Sequence, residues 1–408
     1  MAATEAVAPV ALADIEAARE VLAGVALETP MQPSRWLSDR IGGPAYLKCE
    51  NLQRTGSFKI RGAYLRMSRL SAQERARGVV AASAGNHAQG VALAAQMLGI
   101  SATIFMRLGA PLPKERETRG YGADVRFAGH TIDEAMVDAR AFAAETGAVL
   151  IHPFDHFDIV AGQGTAGLEI MEQCPEAATV VIPCGGGGFL GGVATAIKAL
   201  APQVRVVGVQ AEAAAAYPTS LAAGQPVALA EMATIADGIA VGMPGDIPFA
   251  AIQANVDAML TTSEESLSAA LLQLLERSKL VVEPAGAAAV AAVMDRPEEF
   301  EPPVVAVLSG GNIDPLLLMG VIRHGMAADG RYLAFRVKIS DRPGGLATLL
   351  NELGSVDANV LDVVHERTSA RLHLDEVEVA MQLETRGPEH SAQVLSRLRD
   401  EGYSLTFA

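Results

Sequence analysis

The sequence is poor in cysteine and in positive charge, and it holds no long apolar run. Only Cys49, Cys174 and Cys184 occur in 408 residues. Three scattered thiols offer no disulfide framework and no Cys-x-x-Cys metal spacing. Such a set fits a reducing compartment, and a cytoplasmic location is expected. Lys and Arg number 32 against 47 Asp and Glu, a formal net charge of -15. That balance repels phosphate backbones, so neither nucleic acid nor an anionic membrane is an expected partner. No uninterrupted apolar stretch reaches the roughly 18 residues that a membrane helix needs. Met1 to Leu12 lacks a basic segment ahead of its apolar residues, so no secretory signal is expected there.

Half of the residues are apolar and 19% are charged, which permits large buried cores. Val79–Ala82, Ala102–Met106, Thr179–Pro183, Val204–Val209 and Val304–Leu308 read as short apolar strands. Helical stretches separate them; in one, Val91, Ala95 and Leu98 share a face. Continuous apolar strands alternating with helices predict parallel sheets covered on both sides, and the length predicts two such layers. Asp329-Gly330-Arg331 is a polar break, after which the pattern changes. Leu333, Phe335, Val337 and Ile339 alternate as in a half-buried strand. Leu346, Leu349, Leu350 and Leu353 then recur at helical spacing, with Gly354 as a stop signal. Strand patterns at Val360–His365 and Val377–Leu383, a helix through Val394 and Leu398, and a last strand at Tyr403–Phe407 complete the order βαββαβ, that of a ferredoxin-like module. The expected domains are residues 1–330, with a small lobe at about 46–150, and residues 331–408.

Four motifs carry the chemistry. In Thr55-Gly56-Ser57-Phe58-Lys59-Ile60-Arg61-Gly62, Ser57 is a plausible N-cap and Lys59 falls in the first helical turn. The positive end of the helix dipole there favours a neutral amine, the form a Schiff-base lysine needs. Taken alone, a surface lysine would read the same way. Ser83-Ala84-Gly85-Asn86-His87 follows a strand directly. Backbone N–H groups at the following helix start form an anion nest suited to a carboxylate. An Asn-capped turn is the ordinary alternative, and His87 alone reads as a packed or capping residue. Gly185-Gly186-Gly187-Gly188 lies between a strand and a helix, where backbone N–H groups can approach a phosphate. It lacks the lysine of a P-loop and the G-x-G-x-x-G pattern of dinucleotide sites, so it reads as a phosphate cup or a plain glycine-rich turn. Ser309-Gly310-Gly311-Asn312 follows the last strand of the main body. Ligands of open α/β sheets gather at the carboxyl ends of strands, where all four motifs sit or adjoin.

From Thr29-Pro30 to Asn312 the chain resembles the fold-type II pyridoxal-phosphate enzymes, and within them the threonine/serine ammonia-lyases. The resemblance implies two parallel-sheet α/β lobes of the tryptophan synthase β-like kind and pyridoxal 5'-phosphate as cofactor. It further implies that Lys59 binds the cofactor covalently, Phe58 packs on its ring, and Asn86 bonds its phenolic oxygen. Gly185, Gly186, Gly187 and Gly188 would hold the phosphate and Ser309 would meet the pyridine nitrogen. Ser83, Ala84, Gly85, Asn86 and His87 would grip the carboxylate of an amino-acid substrate. Glu283 matches an acidic residue of the family's site. Threonine would give 2-oxobutanoate and ammonia, and serine would give pyruvate.

Several details separate the chain from relatives. Ile60-Arg61 follows the lysine where sulfide-using synthases and threonine synthase have Asp-Arg, and Asn86-His87-Ala88 stands where the synthases have Asn-Thr-Gly. Ala84 occupies the place of the serine that racemases use as a second acid/base, and alanine has no proton to give. Glu212 matches part of the racemase divalent-metal pattern, but Pro218 replaces its later aspartate, so no divalent metal site is expected. Arg107-Leu108-Gly109-Ala110-Pro111 departs from the usual form and puts nucleotide activation in doubt. A serine racemase or serine dehydratase remains the alternative enzyme, and an inactive amino-acid sensor the alternative from another class. Asp341-Arg342-Pro343-Gly344-Gly345-Leu346 with Asn359-Val360-Leu361 resembles an ACT domain. This implies an effector such as isoleucine or valine near Asp341 and Asn359, in a homodimer or homotetramer. A dimerisation module without ligand is the simpler reading.

Overall fold

A computed structural model describes residues 9–367, 372, 373 and 375–407. The chain forms two compact units, Met1–Pro315 and Leu316–Ala408.

The first unit contains two sheets. Its larger sheet has six strands: β1 (Met31–Pro33), β2 (Ala45–Lys48), β7 (Thr179–Pro183), β8 (Arg205–Ala211), β9 (Ala258–Thr262) and β10 (Val304–Val307). Their order is β1-β2-β10-β7-β8-β9. All neighbours run parallel except β1, which pairs antiparallel with β2. The smaller sheet has the order β5-β4-β3-β6 and is wholly parallel, built from β3 (Val79–Ala82), β4 (Ala102–Met106), β5 (Asp124–Phe127) and β6 (Val149–Leu150).

Burial explains why these short runs become strands. Val180, Ile182, Val206, Val305 and Val307 pack with Leu190 and Val193 of the Gly188–Leu200 helix. Side chains alternate along a strand, so Val181 and Val207 face the other way, and they are equally buried. Each fully buried Val or Ile contributes about 1.5–3 kcal/mol. The Pro284–Asp295 helix lies along β7, β8 and β10. The expected strands therefore form, with β8 starting one residue later than Val204 and running on to Ala211. β1 and β6, of three and two residues, are too short to show a periodicity, and β5 (Asp124-Val125-Arg126-Phe127), mostly exposed, lacks the apolar run that marks the others.

The second unit takes in all but the first residue of the helix Pro315–Ala328, followed by β11 (Tyr332–Ser340), a helix Gly345–Ser355, β12 (Asn359–Glu366), β13 (Glu376–Glu384), a helix Pro388–Asp400 and β14 (Leu405–Thr406). Its antiparallel sheet has the order β12-β13-β11-β14, and from β11 onward the connectivity is βαββαβ. Phe335, Val337, Ile339, Val377, Val379, Met381 and Leu383 form one sheet face against Leu349, Leu353, Val394 and Leu398 of the two helices. Gly354 does not end its helix, which continues through Ser355. The chain is thus a doubly layered α/β protein with a ferredoxin-like C-terminal module.

Candidate active site

The turns that follow β2, β3, β7 and β10 meet at one cavity of about 780 Å³. Its wall includes Phe58, Lys59, Ser83, Ala84, Gly85, Asn86, His87, Gly185 to Gly188 and Ser309. Every residue singled out in the four motifs for cofactor or substrate is therefore brought to one place. Glu283 also lines it.

After β2 the chain makes two 3-10 turns, in which Thr55 (φ 62°) and Gly56 (φ 69°) are left-handed. The next residues are stitched to the segment after β10. Phe58 N–H donates to the Ser309 carbonyl at 3.3 Å, Gly311 N–H donates to the Gly56 carbonyl at 2.9 Å, and Ser57 bridges Gly310. This stitch corrects the expected cap. Ser57 is extended, Phe58 stands at the cap position, and the helix begins at Lys59. The Ser57 hydroxyl is buried with no hydrogen-bond partner among the described residues. Lys59 does occupy the first turn, and its Nζ donates to the Pro153 carbonyl at 3.0 Å. Burial pulls the Lys59 pKa down to about 8, opposed by the charge of Glu283.

Asn86 opens the helix after β3. Its amide nitrogen donates to Glu283 Oε1 at 2.6 Å, and its amide oxygen accepts from Asn312 Nδ2 at 2.8 Å. An amide nitrogen has two hydrogens, so one donor remains. Burial pushes the Glu283 carboxyl up to about 7, with Asp237 adding to the rise and Lys114, Asn86 and Lys59 opposing it. His87 is pushed down to about 3, by burial first and then by the Lys59 charge. It is neutral, and its Nε2 lies 2.9 Å from the Ile151 carbonyl, so the proton sits on Nε2. It packs rather than titrates.

At the glycine turn, Gly187 has φ +94° and serves as N-cap of the Gly188–Leu200 helix, with no side chain capping it. The first N–H groups of that helix remain for an anion. A Cβ on Gly186 would run into the Phe154 ring, and one on Gly187 into the Tyr217 hydroxyl. Tyr217 donates to the Gly186 carbonyl at 3.2 Å. The ring of Phe58 stacks on Phe189, with centroids 4.0 Å apart.

The motifs give no sign of Lys114, His152, Phe154 or Asp237, which also line the cavity, as does Phe189 just after the four glycines. His152 Nδ1 accepts from Asp155 N–H at 2.8 Å, and burial lowers its pKa to about 4. Pro153, three residues beyond the end of the two-residue β6, is the one hint in the sequence that the chain turns there. Behind the site, Arg61 is 1% exposed. It forks onto Glu50 (Nε–Oε2 2.9 Å, Nη2–Oε1 2.8 Å) and reaches Glu169 at 2.6 Å. Lys48 donates to the other oxygen of Glu169 at 2.6 Å.

In the second unit a cavity of about 330 Å³ is lined by Asp341, Arg342, Leu346, His365 and Arg367 among others. Asp341 pairs with Arg367 at 3.2 Å, which holds its carboxyl below the usual range. Asn359 lies outside this cavity. It opens β12 six residues before His365, roughly 20 Å along a strand, and its amide donates to Glu384 at 3.0 Å. Asp341 and Asn359 sit at opposite ends of the sheet, so one pocket of this unit takes the first without the second. Among the described residues no group of three His, Cys, Asp or Glu side chains is placed to hold a metal, and no helix is long and apolar enough to cross a membrane.

The sequence profile of the family described as "Pyridoxal-phosphate dependent enzyme" matches residues 23–310. A protein of Thermotoga maritima named L-threonine ammonia-lyase is 45% identical over 97% of this chain and 99% of its own length. The solved threonine deaminase isoform 2 of Solanum lycopersicum superposes with a TM-score of 0.73 at 39% identity, covering 78% of this chain and 95% of its own. Maize serine racemase also superposes with a TM-score of 0.73, at 32% identity, covering 79% of this chain and 99% of its own.

Proposed function

The chain belongs to the family of pyridoxal-phosphate-dependent enzymes, and from that premise we propose that it is a threonine ammonia-lyase, converting L-threonine to 2-oxobutanoate and ammonium and L-serine to pyruvate. The observation that carries this reading is the meeting of Lys59, Asn86, the glycine turn and Ser309 on one cavity. The residues fit the cofactor: an uncapped helix N-terminus suits a phosphate, and a buried amine of lowered pKa suits an aldehyde. When bound, pyridoxal phosphate supplies that aldehyde and a conjugated ring that takes up the electron pair left at the substrate Cα.

Gly185 to Gly188 hold the phosphoryl group with backbone N–H groups, and Phe58 flanks the ring. Asn86 gives its second amide hydrogen to the phenolic oxygen. Ser309 offers the pyridine nitrogen a neutral hydroxyl, which cannot hold a full proton there as a carboxylate would. With the cofactor bound, such a neutral partner would limit charge storage on the ring and so favour elimination over longer-lived chemistry. The Ser83–His87 turn binds the substrate carboxylate. With the cofactor and substrate bound, the free Lys59 amine would be the base that removes the Cα proton; a pKa near working pH suits that role. Ala84 on the wall carries no proton for the opposite face, which favours elimination over racemisation.

Replacing Lys59 by Ala should abolish both the cofactor's visible absorption and 2-oxo acid formation. An alanine variant that keeps most of its turnover refutes the assignment. Chiral analysis of recovered serine tests the racemase alternative, and an absorbing, active protein rules out a mere sensor. Residues 331–408 serve as an ACT regulatory module taking isoleucine or valine at the Asp341 cavity, in a homodimer or homotetramer. In the full chain, Asp341→Ala should remove any response of turnover to those amino acids, and an unchanged response refutes this. The three cysteines are buried free thiols, which supports a reducing cytoplasmic setting.

A further inference from the structure

We propose that Lys114 is the counter-ion of the substrate carboxylate and that Asp237 holds its place in the protein without substrate. This deepens the reading above and rests on the Ser83–His87 turn as the carboxylate site. Lys114 lies on the Leu112–Gly120 helix beside the smaller sheet, and its side chain is only 10% exposed. An ammonium so far removed from water needs a partner. Among the described residues its one ion pair is with Asp237, at 3.1 Å. Asp237 belongs to a short turn, Asp237–Ile239, and its side chain is 64% exposed. The two halves of the pair are therefore unequal. Asp237 can move into water at little cost, whereas Lys114 must keep an anion beside it.

The position of Lys114 says which anion. Its Nζ stands 3.8 Å from where a Cβ on Gly85 would lie, in the middle of the Ser83–His87 turn. Both Lys114 and that turn face the cavity. The turn does not offer all its backbone donors, since Gly85 N–H already bonds Ser83 Oγ at 3.1 Å. A carboxylate seated on the remaining N–H groups gains the ammonium as a second, charged donor. The other nearby carboxyl, Glu283, is committed to Asn86 at 2.6 Å. Substrate entry then exchanges one carboxylate for another on Lys114. The cation selects α-amino acids over amines that lack the acid group.

The test uses full-length enzyme loaded with cofactor. KM for L-threonine is measured alongside calorimetric binding of L-2-aminobutanoate, which has no leaving group, and of L-2-aminobutanol, which has no carboxylate. Lys114→Met should raise KM and weaken aminobutanoate binding about 10- to 100-fold, the size of a lost charged hydrogen bond, with kcat and aminobutanol binding within about 3-fold. Asp237→Asn removes the competitor, and KM should fall about 2- to 5-fold, the size of an exposed ion pair. A pair that merely latches two parts of the site would shift KM in the same direction in both variants, and that result overturns the proposal. Equal weakening of aminobutanoate and aminobutanol also overturns it. Asp237 is exposed, so its variant answers even if Lys114→Met fails to fold. Absence of 2-oxo acid from the wild type would sink the lyase reading, while the two binding measurements would still decide the role of Lys114.

Discussion

Substituting Arg61 by Met tests whether a buried charge cluster holds the helix that carries Lys59. The guanidinium donates twice to Glu50 and also meets Glu169, Thr165 and the Leu27 carbonyl. The two carboxylates do not lose equally. Glu169 keeps Lys48 at 2.6 Å, but Glu50, with no exposure at all, keeps among the described residues only the Thr29 hydroxyl at 2.6 Å as a side-chain donor. Breaking a buried pair by removing one partner costs about 3–5 kcal/mol. In a unit of this size each kcal/mol moves Tm by about 2 °C, so the drop should be roughly 6–10 °C in scanning calorimetry at fixed cofactor. The loss should depend on pH. In the wild type, burial alone would raise the Glu50 pKa, but the charge and hydrogen bonds of Arg61, with help from Lys48 and Thr29, carry it below the usual value. That stability is present above the unfolded pKa and fades as pH falls through the folded one. Without Arg61 the carboxyl rises instead and destabilises the fold as pH increases past the unfolded value. The Tm gap between wild type and R61M should therefore widen from pH 4.5 to 8, and adding Glu50→Gln should narrow it. A gap that is small, or the same at every pH, would refute the reasoning.

Glu283→Gln should stabilise the protein increasingly as pH rises. A carboxyl held at about 7 contributes stability below its unfolded pKa and loses it as pH climbs through 7, and the amide has no such slope; melting curves at pH 5 and 8 check this. Gly187→Ala forces a left-handed φ of +94° on a residue with a Cβ, at about 1–3 kcal/mol, and drives that Cβ at Tyr217. Its cofactor Kd, from fluorescence titration, should rise at least about 10-fold. In cofactor-free protein, the rate of pyridoxal phosphate capture should climb with pH and level off above about 8, because the neutral Lys59 amine is the reacting form. The same midpoint near 10.5 would show that burial does not act on it.

Much of this was legible in the sequence because the deciding features are contiguous. A strand such as Val79–Ala82 followed by Ser83-Ala84-Gly85-Asn86 carries its own burial and its own turn, and so does Thr179–Pro183 with its four glycines. The parallel sheets and the glycine-lined cavity follow from such local units. Pairs across the fold are another matter. Lys114 and Asp237 stand 123 residues apart, and neither belongs to a pattern that marks it. Ser57 shows the same limit in reverse: a good cap by type, it was drawn into an extended bridge because Gly310 lay opposite. The resemblance places Asn359 beside Asp341, but strand length alone carries it to the far end of the sheet.

The stitch between residues 56–58 and 309–311 is made of main-chain groups. Mutation can rewrite Phe58 or Ser309 without unfastening it, so the spacing between amine and hydroxyl is inherited whatever side chains selection tries there. The exceptions are Gly310, where any larger residue would press on Glu283 and Asn86, and Gly56, whose left-handed φ of 69° and closeness to the Asn312 side chain bar a Cβ. The scaffold thereby leaves its chemistry open to drift while guarding its geometry at a pair of glycines.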